Sequence, residues 1–348
     1  MIIGACGFGS TGSSVVTDYL KEYNDFHVLD EIEFTWVSGV DGLIDLDFHV
    51  NHPHCRTMDS ITAIDRYIAM CKNQINCFKK AGIPPEKFIK LTEEFLESII
   101  TTSWQWNIHH QDCFWDRIRR SYYSRLKIVP RWEVKHGRHW EGFPLETVNL
   151  SVLPEDFEEK AKKHVRDILR AMGADFSKPI ILDQPFAGNN PQACFKFYDD
   201  PYAVVVDRDP RDNYVFAKTK LLGRFHLMPI NDVEDFVKYY RALRKNQPYS
   251  QPHERVLVMK FEDFVYHYDD ATTKLRNFFH LPDNPNPKSI FDPAISMPNT
   301  RVWKRYPQFA TDIDYIEKEL PEYLFDYTGC PEPDLQGEMF WGKSPKNK

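Results

Sequence analysis

No apolar run in this chain of 348 residues reaches the roughly 18 to 20 residues that a membrane-crossing helix requires. No span is therefore expected. The N-terminal residues lack a basic segment followed by an apolar one, and a strand is read from Met1 itself, so no secretory leader is expected. The seven cysteines are an odd number without C-x-x-C spacing. Reduced, mostly buried thiols in a cytoplasmic protein are the expectation. Positive charge is not in excess either: a net charge of −7 argues against a nucleic-acid partner. Internal repeats and Gly/Ser linkers are missing, so nothing divides the chain into separate modules. Only the closing KSPKNK has the composition of a disordered end, and 331–348 are set apart as a C-terminal tail.

What is present is the composition of a folded protein, 42% hydrophobic and 27% charged. Short apolar runs ending in polar or glycine turns predict strands at Met1–Cys6, Phe26–Glu33, Pro179–Asp183, Tyr202–Asp207 and Arg255–Lys260. Helical periodicity covers Ser13–Glu22, Ala187–Tyr198, Arg211–Leu222, Val233–Arg244 and Asp270–His280. Strands alternating with helices predict an α/β fold with a P-loop-like parallel sheet flanked by helices. One domain is expected over 1–330. Within it, 57–173 is read as a helical insertion on the acceptor side, with helices at Thr57–Lys80, Pro84–Ile100 and Glu155–Met172.

The stretch IIGACGFGSTGSSVVTDYL satisfies two nucleotide-binding patterns. Gly7, Gly9 and Gly12 spell the dinucleotide fingerprint, and Asp30 ends the next strand where it would meet a ribose. Gly7 to Ser14 also reads as a phosphate loop, but Ser13 stands where a triphosphate-binding enzyme has Lys, which argues against an ATPase. Both patterns present backbone N–H groups to an anion. Further on, YAVVVDRDPRDNYVFAK is a buried strand whose C-terminal end delivers Arg208, a guanidinium fork suited to a terminal phosphate, with Pro210 opening a helix.

Here the sequence resembles the sulfotransferases that use 3′-phosphoadenosine 5′-phosphosulfate. The opening loop is similar to their phosphosulfate loop, and LDQPFAGNNPQACFKFYDDPYAVVVDRDPRD is similar to their strand, turn and helix leading into R-D-P-R-D. VLVMKFEDFVYHYDDATTKLRNFFHL is similar to a late strand and helix, and MPNTRVWKRY to the segment that closes over the donor's 3′-phosphate. The resemblance spans roughly Met1–Gly39 and Ile180–Tyr327. It implies that Gly9, Ser10, Thr11, Gly12, Ser13, Ser14, Arg208, Lys218, Arg301, Lys304 and Arg305 hold the nucleotide co-substrate, with no metal. Two departures stand out: Ser10 replaces the loop's basic residue, and Phe216 replaces the second phosphate-binding hydroxyl.

The resemblance further implies transfer of a sulfuryl group to an acceptor hydroxyl, of a glycan or of a small molecule. Such an acceptor needs a general base. Glu33 is the nearest match to the Glu that glycan-modifying members place at the end of the second strand. Glu31 shares its face, since strand side chains alternate. Asp183, ending the third strand, and His52, in FHVNHPHCR, are further candidates. The segment holding Trp104, Trp106, Trp115, Trp132 and Trp140 mixes aromatic and basic side chains in a way that suits a sugar. Two other readings stand beside this one: a catalytically weakened nucleotide- or glycan-binding relative, and a Rossmann-type NAD-dependent oxidoreductase.

Overall fold

A computed structural model describes residues 1–52, 56–106, 146–221, 228–245, 252–336 and 339. Its centre is a five-stranded sheet of β1 (Ile2–Gly7), β2 (His27–Glu33), β5 (Ile180–Asp183), β6 (Pro201–Asp207) and β7 (Val256–Lys260), in the order β2-β5-β1-β6-β7. Every pairing is parallel, and each sequence-predicted strand is found to within a residue or so. Buried runs such as AVVV in β6 and IIL in β5 form these strands because β-branched side chains suit a sheet covered on both sides.

Alternation sorts the sheet's side chains to two covers. Ile3, Ala5, Val204 and Val206 pack with α1 (Ser14–Leu20), α8 (Phe261–Tyr266) and α9 (Tyr268–Phe279). Ile2, Cys6, Leu182 and Val205 pack with α2 (Leu43–Asn51), α3 (Thr57–Lys80), α4 (Pro85–Ile99) and α5 (Phe157–Ala171). Helices α3 to α5 thus share one continuous core with the sheet. Within it Phe95 stacks on His164 at 4.6 Å, and burial drives the imidazole down to about 3, so it stays neutral and bonds Tyr67 Oη at 3.1 Å. A third cluster joins α6 (Pro210–Phe216), α7 (Val233–Arg244) and α11 (Ala310–Glu319), which follows the short α10 (Pro293–Ser296).

The structure corrects several sequence-based expectations. The 57–173 insertion is not wholly helical: β3 (Thr102–Trp106) and β4 (Glu146–Leu150) form an antiparallel pair. Alternation in so short a run as TSWQW is masked by its aromatic content. The helix expected at Ala187–Tyr198 is a 3₁₀ segment, Pro191–Phe197, where Asn189, Asn190 and Pro191 favour turn geometry. Helix α6 continues after Phe216 as a π-helical turn, Ala217–Leu221. FHVN, which opens the His52 segment, is the last turn of α2. The stretch 331–336, read as tail, folds back onto the body through Glu332 and the Asp334 carbonyl. His54, Cys55, Trp115, Trp132, Trp140 and the basic residues between Arg117 and Arg138 lie outside the described residues.

Candidate nucleotide-binding site

The connection from β1 runs toward the β2 edge, and that from β6 runs toward β7 at the opposite edge. Ligands of open parallel sheets bind at such a reversal, outside the strands' C-terminal ends. The loop after β1 and the first residues after β6 meet there. The sheet order also removes one alternative. In a dinucleotide-binding half the second strand lies beside the first, whereas here β5 separates β1 from β2. Asp30 is accordingly one strand away from the glycine loop and pairs with Lys21 at 2.5 Å.

Each of the three fingerprint glycines has its own physical cause. Gly9 (φ 83°) and Gly12 (φ 84°) are left-handed, and Gly7 lies too close to Thr11 to carry a Cβ. Ser10 is also left-handed (φ 55°), so residues 9 and 10 turn consecutively. Runs of this kind line up successive amides as an anion nest. The backbone amides of residues 10 to 14 donate to no described residue. The loop's carbonyls are occupied instead: Gly9 O accepts from Asn213 Nδ2 at 3.1 Å, and Ser10 O from Arg208 Nη1 at 3.1 Å. Thr11 Oγ1 accepts the Phe8 amide at 3.2 Å. Ser13 Oγ accepts from Gln184 Nε2 at 2.8 Å, while Gln184 Oε1 takes the Gly7 amide at 3.2 Å. Ser14 is exposed at the helix start.

Arg208 is only 4% exposed. Its second terminal nitrogen bonds the carbonyl of Asn299, so the guanidinium joins the loop to the segment 299–305. Its Nε is buried and meets no acceptor among the described residues. The rings of Phe216 and Phe261 lie 5.0 and 5.4 Å from its central carbon. The residue eight positions after Arg208 therefore does face it, as the resemblance implies, but with an aromatic ring in place of a hydroxyl.

The rest of the R-D-P-R-D motif anchors the C-terminal region. Asp209 caps α6 through the Arg211 amide and accepts the Phe325 amide, at 2.9 and 3.0 Å. Arg211 lies 4.0 Å over Trp303 and pairs with Asp209 and Glu317. Asp212 accepts the amides of Arg301 and Val302 at 2.9 and 2.5 Å. Burial and the Asp209 charge raise Asp212 to about 7, against the attraction of Arg208.

The other expected cations are already engaged. Lys218 Nζ bonds Tyr214 Oη at 2.6 Å and pairs with Asp312 at 3.0 Å. Arg301, 3% exposed, pairs with Glu332 at 2.6 Å. Lys304 reaches both Glu332 oxygens, at 2.7 and 2.9 Å. Arg305 donates to the carbonyls of Pro298 and Asp334 at 2.9 and 3.0 Å.

Two of the four acid–base candidates meet. Glu33 and Asp183 face each other in the β2–β5 register after an irregularity that follows Leu29, and both end their strands at the sheet's C-terminal edge. Glu31 and Glu33 share an exposed face, as alternation predicts. Burial first, then the Glu33 and Asp30 charges, raise Asp183 to about 7. His52 ends α2, with Nδ1 2.8 Å from the Phe48 carbonyl and its ring 4.5 Å from that of Phe48. Since the folded chain holds the Asp183 proton above the ordinary carboxylate range near 4, this group favours folding at low pH. That contribution is lost as pH rises from about 4 to about 7. Asp183→Asn is therefore expected to gain stability relative to the natural protein more at pH 8 than at pH 4, measured by urea unfolding. Equal differences at the two pH values would refute the raised carboxyl. Asp212 and Glu262, raised to about 7 and about 8, titrate in both proteins and cancel in the comparison.

Sequence reasoning missed Gln184, Asn213 and Glu332. Gln184 carried one signal: a polar residue directly after a buried strand and before Pro185. Its left-handed backbone (φ 53°) turns the side chain back to the loop.

No family model matches this chain, and no curated protein matches it. Among solved structures, a sulfotransferase from Alicyclobacillus acidocaldarius is 13% identical over 91% of this chain and 94% of its own, with a TM-score of 0.37. Sulfotransferase STF9 from Mycobacterium avium is 13% identical over 96% and 77%, at 0.37. The sulfotransferase domain from the curacin biosynthetic pathway is 10% identical over 84% and 78%, at 0.36.

Proposed function

We propose that this protein is a sulfotransferase that takes 3′-phosphoadenosine 5′-phosphosulfate as co-substrate and an alcohol, by preference of a carbohydrate, as acceptor. The observation that supports this most is the amide nest at residues 10 to 14 braced by the buried Arg208, whose Nε lacks an acceptor among the described residues, at the reversal between β1 and β6. An anionic phosphosulfate seated in that nest accepts amide hydrogens without displacing any bond among the described residues. The donor supplies an activated sulfuryl group, whose transfer depends chiefly on positioning and charge stabilisation.

The chain's own residues divide this work. Gln184 holds Ser13 Oγ in place, and Asn213 and Arg208 hold the carbonyls of Gly9 and Ser10 back, so that the amides face outward. Glu33 is the base that receives the acceptor's proton. Asp183, protonated up to about pH 7 by burial and by Glu33 itself, keeps a second negative charge away from that base and can donate to it or to the acceptor.

The loop's missing cation has a local answer, since Arg208 already reaches the Ser10 carbonyl. Ser10→Lys is accordingly expected to leave turnover unchanged or lower it, because a second cation crowds the first. A several-fold rise in label transfer from the donor would show that Arg208 does not serve the loop.

Calorimetry with adenosine 3′,5′-bisphosphate and with NAD, followed by turnover of labelled donor over carbohydrate and small-molecule alcohols, tests the proposal. Binding of NAD without the bisphosphate would overturn it. A second reading, a weakened relative that binds without turnover, is favoured by the Phe216 ring on Arg208 and by Glu332 on Arg301 and Lys304. Bisphosphate binding with no transfer to any acceptor would establish that reading instead.

A further inference from the structure

Away from the glycine loop, three side chains with nucleophile, base and acid chemistry meet at the surface. Asp263 and His267 lie one turn apart at the end of α8, with Nδ1 of the imidazole 3.3 Å from the Asp263 carboxylate. Cys330, directly after the turn at Thr328 and Gly329, places Sγ 3.9 Å from His267 Nε2. Asp263 fixes the tautomer by accepting the Nδ1 proton, which leaves Nε2 as the free acceptor facing the thiol. A nucleophile in reach of a base that a third group orients is the arrangement by which weak nucleophiles are activated. The buried thiols lack it: Cys6, Cys71 and Cys194 are sealed in the core, and burial raises each.

We propose that Cys330 is a reactive thiol, activated by His267 and Asp263, that exchanges with low-molecular-mass disulfides to form a mixed disulfide on the protein. His267 Nε2 takes the proton from Sγ, and the thiolate attacks one sulfur of the reagent. The reagent's S–S bond breaks as the new one forms, and the departing thiolate takes the proton back from His267. Cys330 is oxidised to the mixed disulfide, and half of the reagent is reduced to a free thiol.

The surroundings make the base necessary. Desolvation, Asp326 and Asp263 hold the thiol above its ordinary value against the nearby Arg301, so little thiolate exists at neutral pH without a proton acceptor. His267 is exposed and Cys330 half-buried, so a small reagent reaches both. The site is tied to the nucleotide region, because Arg301 Nη2 donates to the Cys330 carbonyl at 3.2 Å and Nη1 pairs with Glu332 two residues on. A bulky group on Cys330 would therefore press on the segment that covers Arg301.

The test treats the folded full chain with hydroxyethyl disulfide, an uncharged probe, and follows each cysteine by peptide mapping. Cys330 is expected to react at least ten-fold faster than Cys6, Cys71 and Cys194. His267→Gln should slow Cys330 at least five-fold, and Asp263→Asn should slow it less, with unchanged circular dichroism and melting temperature in both. In urea the difference between natural protein and His267→Gln should vanish. A Cys330 rate that is the same in the folded natural protein and in His267→Gln, or no faster than that of the buried thiols, would overturn the proposal.

Discussion

Arg208→Ala is expected to weaken binding of adenosine 3′,5′-bisphosphate by about 2 to 4 kcal/mol, the scale for truncating one partner of a desolvated charge contact. The side chain is almost wholly buried, and its terminal nitrogens hold the carbonyls of Ser10 and Asn299. Its removal therefore loosens the loop and the 299–305 segment together. One buried and one half-buried carbonyl lose a donor, which adds a stability loss of about 1 to 3 kcal/mol. Calorimetry and thermal unfolding without ligand separate the two effects. Arg208→Lys keeps the charge but not the fork, and should recover little of either. Unchanged affinity in a folded Arg208→Ala protein would remove this residue from the site.

Asp207→Ala is expected to be the most destabilising single change, by about 3 to 5 kcal/mol, because it leaves a buried charge uncompensated. Asp207 and Arg244 are 0% and 1% exposed at their side chains, and the guanidinium donates to both carboxylate oxygens, at 3.0 and 2.5 Å. Tyr240 adds a hydroxyl at 3.2 Å, and Arg244 lies 4.3 Å over the Phe8 ring at the entrance of the glycine loop. The unfolding midpoint in urea should fall accordingly. Replacing both residues with apolar ones of similar size should restore much of it, since paired removal leaves no sealed charge behind and Lys260, the other cation on Asp207 at 3.5 Å, keeps the Tyr323 carbonyl. A small loss in the single variant would mean that Arg244 finds water or another acceptor.

The sheet was legible because its strands are short, β-branched and bounded by turns, so the five parallel strands need little context. Helices Val233–Arg244 and Thr57–Lys80 were legible for the same local reason, their periodicity. The two-stranded sheet at Thr102–Trp106 and Glu146–Leu150 was not, since its partners are far apart in sequence and only tertiary pairing makes them strands. In the site, Arg208 and the glycines announced themselves by position after a strand. Gln184 and Asn213 did not: Gln184 acts through two hydrogen bonds to the loop and Asn213 through one, and nothing in composition marks such bonds. Nor did the sequence disclose that the cations at 301–305 would find partners within the chain, because Glu332 is about thirty residues further on and approaches only through the return of the C-terminal segment.

That return means the chain carries its own counter-ion. Glu332 is 61% exposed while the guanidinium beneath it is sealed, so the carboxylate can swing into water without the backbone moving. Being tethered, it confronts Arg301 and Lys304 at an effective concentration in the ~mM range typical of short flexible links. A free anion drawn to these cations does not fill an open place; it displaces a group that never diffuses away. Its apparent affinity is therefore lower than the contacts alone would provide, and it is set partly by ionic strength, which loosens the exposed carboxylate before it touches the buried arginine.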